Sequence, residues 1–179
     1  MRSLFFQDLQ YSATIKAAFF LREPILPHLY GVLCPYKESP IIPELSNERA
    51  KGEKYTPEGK GLLLIGLHEA AAKDLINVEV EALSSILVAE LEKIVPQVKG
   101  KIEKVVLQQW PEAIPRFEVR RVRRIKELIE AMRHQKTLFF CGDYLNGPYT
   151  EPALTRGLSV AGMVHAALDH RSDSQVGAI

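Results

Sequence analysis

Apolar and polar positions along the chain predict several strands. Residues Tyr11–Leu21 are rich in β-branched and aromatic side chains, and Pro24 closes the run. Residues 60–67 form a near-continuous apolar stretch of strand length, which is typical of a buried central strand. Further strands are predicted at residues 28–34, near 42–46, at 101–109 and at 137–141.

Helical periodicity is clearest in residues 78–95. Apolar side chains recur there at steps of three and four, so one stripe of the helix is expected to be buried. Asn77 is the predicted N-cap and Pro96 ends the helix. Other helices are predicted at 68–75, 119–134 and 151–168, with 110–115 and 142–150 as connectors. We therefore expect an α+β (mixed α/β) fold, a mixed sheet with flanking helices.

Composition narrows the class of protein. The chain of 179 residues has the length of one domain or of one and a half domains. Its net charge of +1 does not indicate nucleic acid or an anionic membrane as a binding partner. No metal-ligand spacing, signal peptide or membrane-spanning run is apparent. The default expectation is a cytoplasmic protein without a transmembrane segment, in which Cys34 and Cys141 are buried thiols.

The segment from Leu138 onward carries the candidate chemistry. A predicted apolar strand ends at Gly142 and Asp143, and a loop leads into a helix. The free N–H groups and positive dipole end of such a helix favour an anion or an electron-rich ring edge. Asp143 could accept hydrogen bonds from ligand hydroxyls. On the residues alone, a simple strand–turn–helix in which Asp143 caps the turn explains the pattern as well.

This apolar strand, Gly-Asp, loop and Glu-x-Ala pattern resembles the closing segment of the FAD-dependent amine oxidase superfamily. The resemblance implies FAD as cofactor. It assigns Gly142 and Asp143 to the ribityl or phosphate region of FAD, and the helix start to the pyrimidine edge of the flavin. The helix-start residues so implied are Thr150, Glu151 and Ala153. Pro152 departs from the family pattern, which often has glycine there, and proline offers no N–H.

A second segment, residues 109–117 around Trp110, is similar to a Trp-x-x-Ala-Ile-Pro sequence in protoporphyrinogen oxidase-like members. The resemblance implies that Trp110 is a substrate-binding residue, whereas core packing is the favoured interpretation from the residues alone. Weaker similarity at residues 11–13 and 46–50 extends the match to most of residues 1–168. The implied organisation is a substrate-binding-like region at 1–135, an FAD-domain-like strand, loop and helix at 136–168, and a disordered tail at 169–179.

The G-x-G-x-x-G motif that holds the FAD diphosphate does not occur in the sequence. We therefore expect a fragment or subunit of an FAD-dependent oxidoreductase, from a truncated gene, a two-chain enzyme or a repurposed remnant. The alternative is a non-enzymatic binding module that kept the fold. The expected partner is a second copy of the chain or a separate dinucleotide-binding chain, and not nucleic acid.

Two further features admit more than one interpretation. The five arginines between residues 116 and 124 are interpreted as a solvated helix face pairing with Glu127 and Glu130. Phosphate binding, nucleic-acid binding and docking of a missing half are the alternatives. His68 and Glu69 could form an acid–base pair, but a helix start with an incidental histidine is the favoured interpretation.

Overall fold

The computed structural model describes residues 2–133, 135 and 137–176. It divides the chain into two compact units, each described by itself. We call residues Ser12–Ala113 the sheet unit. The segments Met1–Tyr11 and Ile114–Ile179 together are the helical unit.

One five-stranded sheet has the strand order β2-β3-β4-β1-β5. The pairings of β1 with β4, of β2 with β3 and of β3 with β4 are antiparallel. The strands are β1 Tyr11–Leu21, β2 Gly31–Leu33, β3 Glu44–Asn47, β4 Gly61–Gly66 and β5 Ile102–Pro115.

Helices account for most of the remaining regular structure. They are α1 Arg2–Gln7, α2 Glu48–Lys51, α3 Glu69–Leu75, α4 Val80–Ile94, α5 Arg121–Met132, α6 Asp143–Asn146 and α7 Thr150–Val176, with single 3-10 turns at Glu53–Tyr55 and Pro96–Val98. The predicted α+β class is confirmed. Among the described residues, no helix is long and apolar enough to cross a membrane.

The core of the sheet unit lies on one face of the sheet. Odd-numbered positions of β1 from Ala13 to Leu21 are buried, while the even-numbered positions are partly or fully exposed. Leu83, Leu87 and Leu91 form the buried stripe of α4 and belong to the same core cluster. The even-numbered side chains of β1 lie on the opposite face, which we call the open face of the sheet.

The helical unit has a smaller core of its own. Phe5, Ile125, Leu128 and Leu145 are buried together. The guanidinium of Arg121 lies 4.0 Å from the centre of the Phe5 ring. This cluster fixes α1 and α5 beside the segment that carries the candidate site.

Two predicted element boundaries are wrong for local reasons. The N-cap of α4 is Glu79, not Asn77, and the Glu79 carbonyl accepts the N–H of Leu83. Residues 110–115 are not a connector but the end of β5. Pro111 and Pro115 lie in β5, the edge strand beside β1, and edge strands are where a sheet accommodates proline.

The strand predicted at residues 137–141 is absent. Among the described residues after Pro115, none forms a strand, and no backbone hydrogen bond joins residues 138–141 to another described residue. Cys141 is exposed rather than buried, while Cys34 is buried as predicted, and both are free thiols. Helix α7 continues to Val176, beyond its predicted end at residue 168, and residues 177–179 of the predicted tail lie outside the described residues.

Candidate functional site

Two glycines with positive φ bracket the short helix α6. Gly142 has a φ of 141° and Gly147 a φ of 139°, conformations that side-chain-bearing residues rarely adopt. A Cβ added at Gly142 would also lie 2.6 Å from Cε1 of Tyr144. The glycine is therefore required by the folding of its own turn, whatever the turn binds.

Aromatic packing anchors this turn in the helical unit. Tyr144 lies 6.0 Å from Phe6 and 6.4 Å from Phe5, and Phe6 lies 5.0 Å from Phe140, as ring-centre distances. Leu145 is buried in the same cluster. Desolvation raises the pKa of the Tyr144 phenol, so this tyrosine is a neutral hydrogen-bonding group at physiological pH.

The start of α7 is open to solvent. Thr150 and Glu151 are exposed, and Pro152 follows without an N–H. The N–H of Ala153 donates to the carbonyl of Tyr149 at 3.3 Å. The first helical turn therefore presents the N–H groups of Thr150 and Glu151, with the positive end of the helix dipole behind them.

The predicted cofactor residues all lie in the helical unit, on consecutive elements. Gly142 and Asp143 begin α6 and are partly exposed. Thr150, Glu151 and Ala153 lie in the first turn of α7. None of these five is sealed in a core, so this part of the helical unit has surface available for a ligand.

Trp110 belongs to the sheet unit. It lies in β5 with its side chain 40% exposed, and it shares the open face of that strand with Val106 and Gln108 by the alternation of side chains. Trp110 is therefore not one of the buried residues of the sheet unit's core. Substrate contact by Trp110 stays a prediction.

The open face of the sheet holds a groove that sequence reasoning missed. Its volume is about 450 Å³, and Ala18, Leu64 and Val106 contribute apolar floor. Lys16 of β1 pairs in register with Gly66 of β4. A Cβ added at Gly66 would lie 2.5 Å from Lys16 Nζ, so the glycine makes room for the lysine side chain. The sequence feature that could have indicated this groove is Lys16, a lysine within an otherwise apolar strand.

Charged groups line one side of this groove. Glu48 accepts hydrogen bonds from Ser46 Oγ at 2.5 Å and Lys51 Nζ at 2.7 Å. Burial by itself raises the pKa of Glu48, but these hydrogen bonds outweigh it and the net pKa is lowered. Lys16 forms no ion pair with any residue that the structure describes. The groove thus combines an apolar floor with two lysines, Lys16 and Lys51, and two carboxylates, Glu44 and Glu48.

The arginine run is not one uniform solvated face. Arg123 pairs with Glu127 at 2.9 Å, as expected, whereas Glu130 pairs with Arg133 rather than with the run. Arg124 pairs with Asp8, and Arg121 is buried.

His68 is the N-cap residue of α3, and its ring lies 5.2 Å from that of Tyr36. Glu69 pairs with Lys73 at 2.9 Å. These positions match a helix start with an incidental histidine, the favoured interpretation. The described residues contain no cluster of three or more groups that could hold a metal ion.

Comparison with known proteins identifies the family. The family model for flavin containing amine oxidoreductases matches residues 3–165. The chain belongs to this family. A curated relative, coproporphyrinogen III oxidase of Bacillus subtilis (strain 168), is 30% identical over 76 residues, which cover 42% of this chain and 16% of the relative.

Solved structures support the same fold. A crystal structure assigned as a protoporphyrinogen oxidase from Exiguobacterium sp. 255-15 matches with a TM-score of 0.75 at 15% identity, covering 91% of this chain and 36% of that chain. Putrescine oxidase, as a redesigned triple mutant, matches with a TM-score of 0.58 at 12% identity, and the match covers 96% of this chain and 38% of that chain. The chain therefore spans little more than a third of these structures, and a sixth of the curated relative.

The described residues fit part of an FAD molecule. The exposed N–H groups at the start of α7 and the carboxylate of Asp143 are donors and acceptors suited to a flavin ring edge and to ribityl hydroxyls. The sequence contains no G-x-G-x-x-G motif, which is the motif that binds the FAD diphosphate. The fit is to the flavin end of the cofactor.

Proposed function

We propose that this chain supplies the substrate-binding sheet and the flavin-facing helix of an FAD-dependent oxidoreductase. The observation that carries the proposal is the exposed start of α7, which follows the Gly142–Asp143 turn in a member of a flavin-dependent family. A dinucleotide-binding segment or chain supplies the diphosphate site, since the sequence holds no motif for it.

Each named residue has a specific role in this proposal. FAD, when bound, supplies the hydride-accepting chemistry. The N–H groups of Thr150 and Glu151, together with the helix dipole, stabilise negative charge at the pyrimidine edge of the ring. Asp143 accepts hydrogen bonds from ribityl hydroxyls. Pro152 removes one donor from this set, so the first turn offers fewer N–H groups than a glycine there would allow.

We propose that a tetrapyrrole binds in the groove on the sheet, which offers an apolar floor and the cations Lys16 and Lys51 beside the carboxylates Glu44 and Glu48. The curated relative in Bacillus subtilis is named a coproporphyrinogen III oxidase. Coproporphyrinogen joins an apolar ring system to carboxylate side chains. The floor of Ala18, Leu64 and Val106 suits the ring, and Lys16 suits a carboxylate.

Flavin binding tests the helix part of the proposal. Riboflavin and FAD are titrated separately into the purified chain, and binding is followed by flavin fluorescence. We expect weak binding with similar affinity for the two ligands, because only the flavin end is contacted. Failure of both ligands to bind would contradict the proposal. FAD binding far more tightly than riboflavin would show that this chain also holds the diphosphate.

A matched pair of variants assigns any flavin binding to the turn. Asp143→Asn keeps the size of the side chain and removes its charge, and we expect riboflavin affinity to fall by about tenfold, the effect of losing one charge-assisted hydrogen bond. Asp74→Asn removes the same charge from the exposed surface of α3 and should change nothing. Equal effects of the two variants would exclude Asp143 as a flavin contact.

Substrate binding is tested with the oxidised, fluorescent product-like ligand coproporphyrin III. We expect it to bind the chain, and Lys16→Gln to weaken binding by about two- to fivefold, as for an exposed ion pair. Lys99→Gln changes an exposed lysine outside the groove and should have no effect. Binding of the porphyrin without any flavin binding would favour the non-enzymatic module instead.

A further inference from the structure

A second pocket lies wholly within the helical unit, at the start of α5. Its volume is about 240 Å³. It is bounded by the chain segment after α1, by the segment that follows β5 and by the first turn of α5. None of its lining residues belongs to the proposed flavin-facing turn or to the substrate groove.

The pocket is strongly cationic. Its wall contains four arginines, Arg116, Arg120, Arg121 and Arg124, against only two carboxylates, Asp8 and Glu118. Asp8 is already engaged by Arg124 in an ion pair. Positive charge therefore exceeds negative charge in a small, partly open pocket, which attracts anions.

Arg121 is the least solvated of these cations. Its side chain is only 5% exposed, and its guanidinium lies over the Phe5 ring at 4.0 Å. Nη1 donates to the Phe5 carbonyl at 3.4 Å, while the buried Nη2 has no hydrogen-bond partner among the described residues. Burial and the nearby Arg124 lower the pKa of Arg121. A buried guanidinium with an unused donor is costly unless an anion compensates it.

The N-terminus of α5 adds to this charge. The helix has twelve residues, its first turn contains no acidic residue, and its N-cap Arg120 makes no capping hydrogen bond with its side chain. The N–H of Arg121 donates to the Glu118 carbonyl at 2.9 Å, so the helix dipole and the remaining N–H groups of the first turn are what favour a negative ligand at this end. Backbone amides and guanidinium groups at one place are the donors that phosphate oxygens accept.

We propose that this pocket, the arginine pocket, binds a phosphate group, either as a free anion or as part of a phosphorylated small molecule. The three α5-start arginines Arg120, Arg121 and Arg124 and the helix N-terminus provide the donors. This site is independent of the proposed flavin and tetrapyrrole sites.

The test is isothermal titration calorimetry of the whole chain with inorganic phosphate and with inorganic pyrophosphate, at constant ionic strength. Acetate at the same ionic strength serves as a carboxylate probe. Saturable binding of either phosphate anion, with acetate binding at least tenfold more weakly, is the expected result. If neither phosphate anion binds, or if acetate binds as tightly, the proposal is overturned.

A matched pair of variants assigns the binding to the pocket. Arg120 has a φ of 74°, and asparagine tolerates this left-handed conformation, so Arg120→Asn removes a charge from the pocket without new backbone strain. Arg123→Gln removes the same charge from the first turn of α5, at a position that does not line the pocket. We expect Arg120→Asn to weaken phosphate binding about tenfold and Arg123→Gln less than twofold.

If the two variants weakened phosphate binding equally, the proposal would be overturned, because phosphate would then respond to the overall charge of the protein and not to this pocket. Circular dichroism of both variants verifies that α5 remains folded. Riboflavin titration of Arg120→Asn separates this site from the flavin site, since riboflavin carries no phosphate and its binding should be unchanged.

Discussion

Glu90 is the buried carboxylate of the sheet unit. It accepts hydrogen bonds from Ser39 Oγ at 2.8 Å and from Lys93 Nζ at 2.8 Å, and Ser39 Oγ in turn accepts the N–H of Ile42. Helix α4 is thereby joined to the chain between β2 and β3. Sequence periodicity identified the apolar stripe of α4, but it gave no sign that this polar position faces inward, because Ser39 lies 51 residues away.

Glu90→Ala is expected to lower the free energy of unfolding by about 1–3 kcal/mol, since it removes a buried hydrogen bond to a charged group. Urea denaturation measures the change. Glu92→Ala is the control, because Glu92 on the same helix forms no ion pair among the described residues. Indistinguishable midpoints for the two variants would contradict a structural role for Glu90.

The same residue gives a pH dependence. Burial alone raises the pKa of Glu90, but the hydrogen bonds from Lys93 and Ser39 outweigh it, so its net pKa falls below the ordinary value of 4.5. A lowered folded-state pKa contributes stability above the unfolded-state pKa, and that stability is lost as the pH falls through the folded-state pKa. The stability difference between wild type and Glu90→Gln should therefore shrink below pH ~4, as measured by urea denaturation at several pH values. If the stability difference between wild type and Glu90→Gln stayed constant with pH, the lowered pKa of Glu90 would be contradicted.

At the scale of elements, β1 shows how far alternation predicts structure. Its bounds, Tyr11–Leu21, are those expected from the sequence, because β-branched and aromatic residues and a following proline are local signals. The prediction for residues 137–141 used the same kind of signal and was wrong, since a strand also needs a neighbouring strand. Helix α7 begins within one residue of its predicted start, because Pro152 marks a first turn.

Adjacent phenylalanines of β1 test the two faces of the sheet. Phe19 is fully buried, whereas Phe20 is 38% exposed on the open face. Phe19→Ala should destabilise the protein by about 3–5 kcal/mol through cavity formation, and Phe20→Ala by less than about 1 kcal/mol. Thermal or urea unfolding measures both. Similar losses would mean that the open face is covered.

The unpaired segment at residues 138–141 can be followed by amide hydrogen exchange. No backbone hydrogen bond joins these residues to another described residue, so their amides should exchange rapidly. Amides 63–65 of the central strand β4 are the internal reference and should exchange slowly. Strong protection of 138–141 in the purified chain would show that a second chain already pairs with them.

At the scale of the whole molecule, α7 carries exposed apolar side chains. Leu154 and Leu158 lie one turn apart and are 61% and 67% exposed. Exposed apolar patches of this kind mark association surfaces. The predicted partner, a second copy of the chain or a dinucleotide-binding chain, stays a prediction, as does the functional division between residues 1–135 and 136–168.

Self-association is measured by multi-angle light scattering. We expect the purified chain to form a dimer or larger species, and Leu158→Glu to shift it toward monomer by placing a charge in the apolar patch. Ser159→Glu adds the same charge to a neighbouring exposed position of α7 and should leave the assembly unchanged. A wild-type chain that is monomeric at all concentrations would argue against self-association.

The sequence by itself determined the local features of this protein: the β1 alternation, the α4 stripe, the Gly142–Asp143 turn and the family resemblance. These features depend on residues close together in the sequence, because hydrophobic periodicity and turn-forming residues are local sequence properties. Only the tertiary structure decided the groove across β1 and β4, the Ser39–Glu90 bond and the arginine pocket at α5. Each of these features brings together residues from separate segments of the chain. Tertiary packing decides which of those side chains come into contact, and local sequence patterns do not encode it.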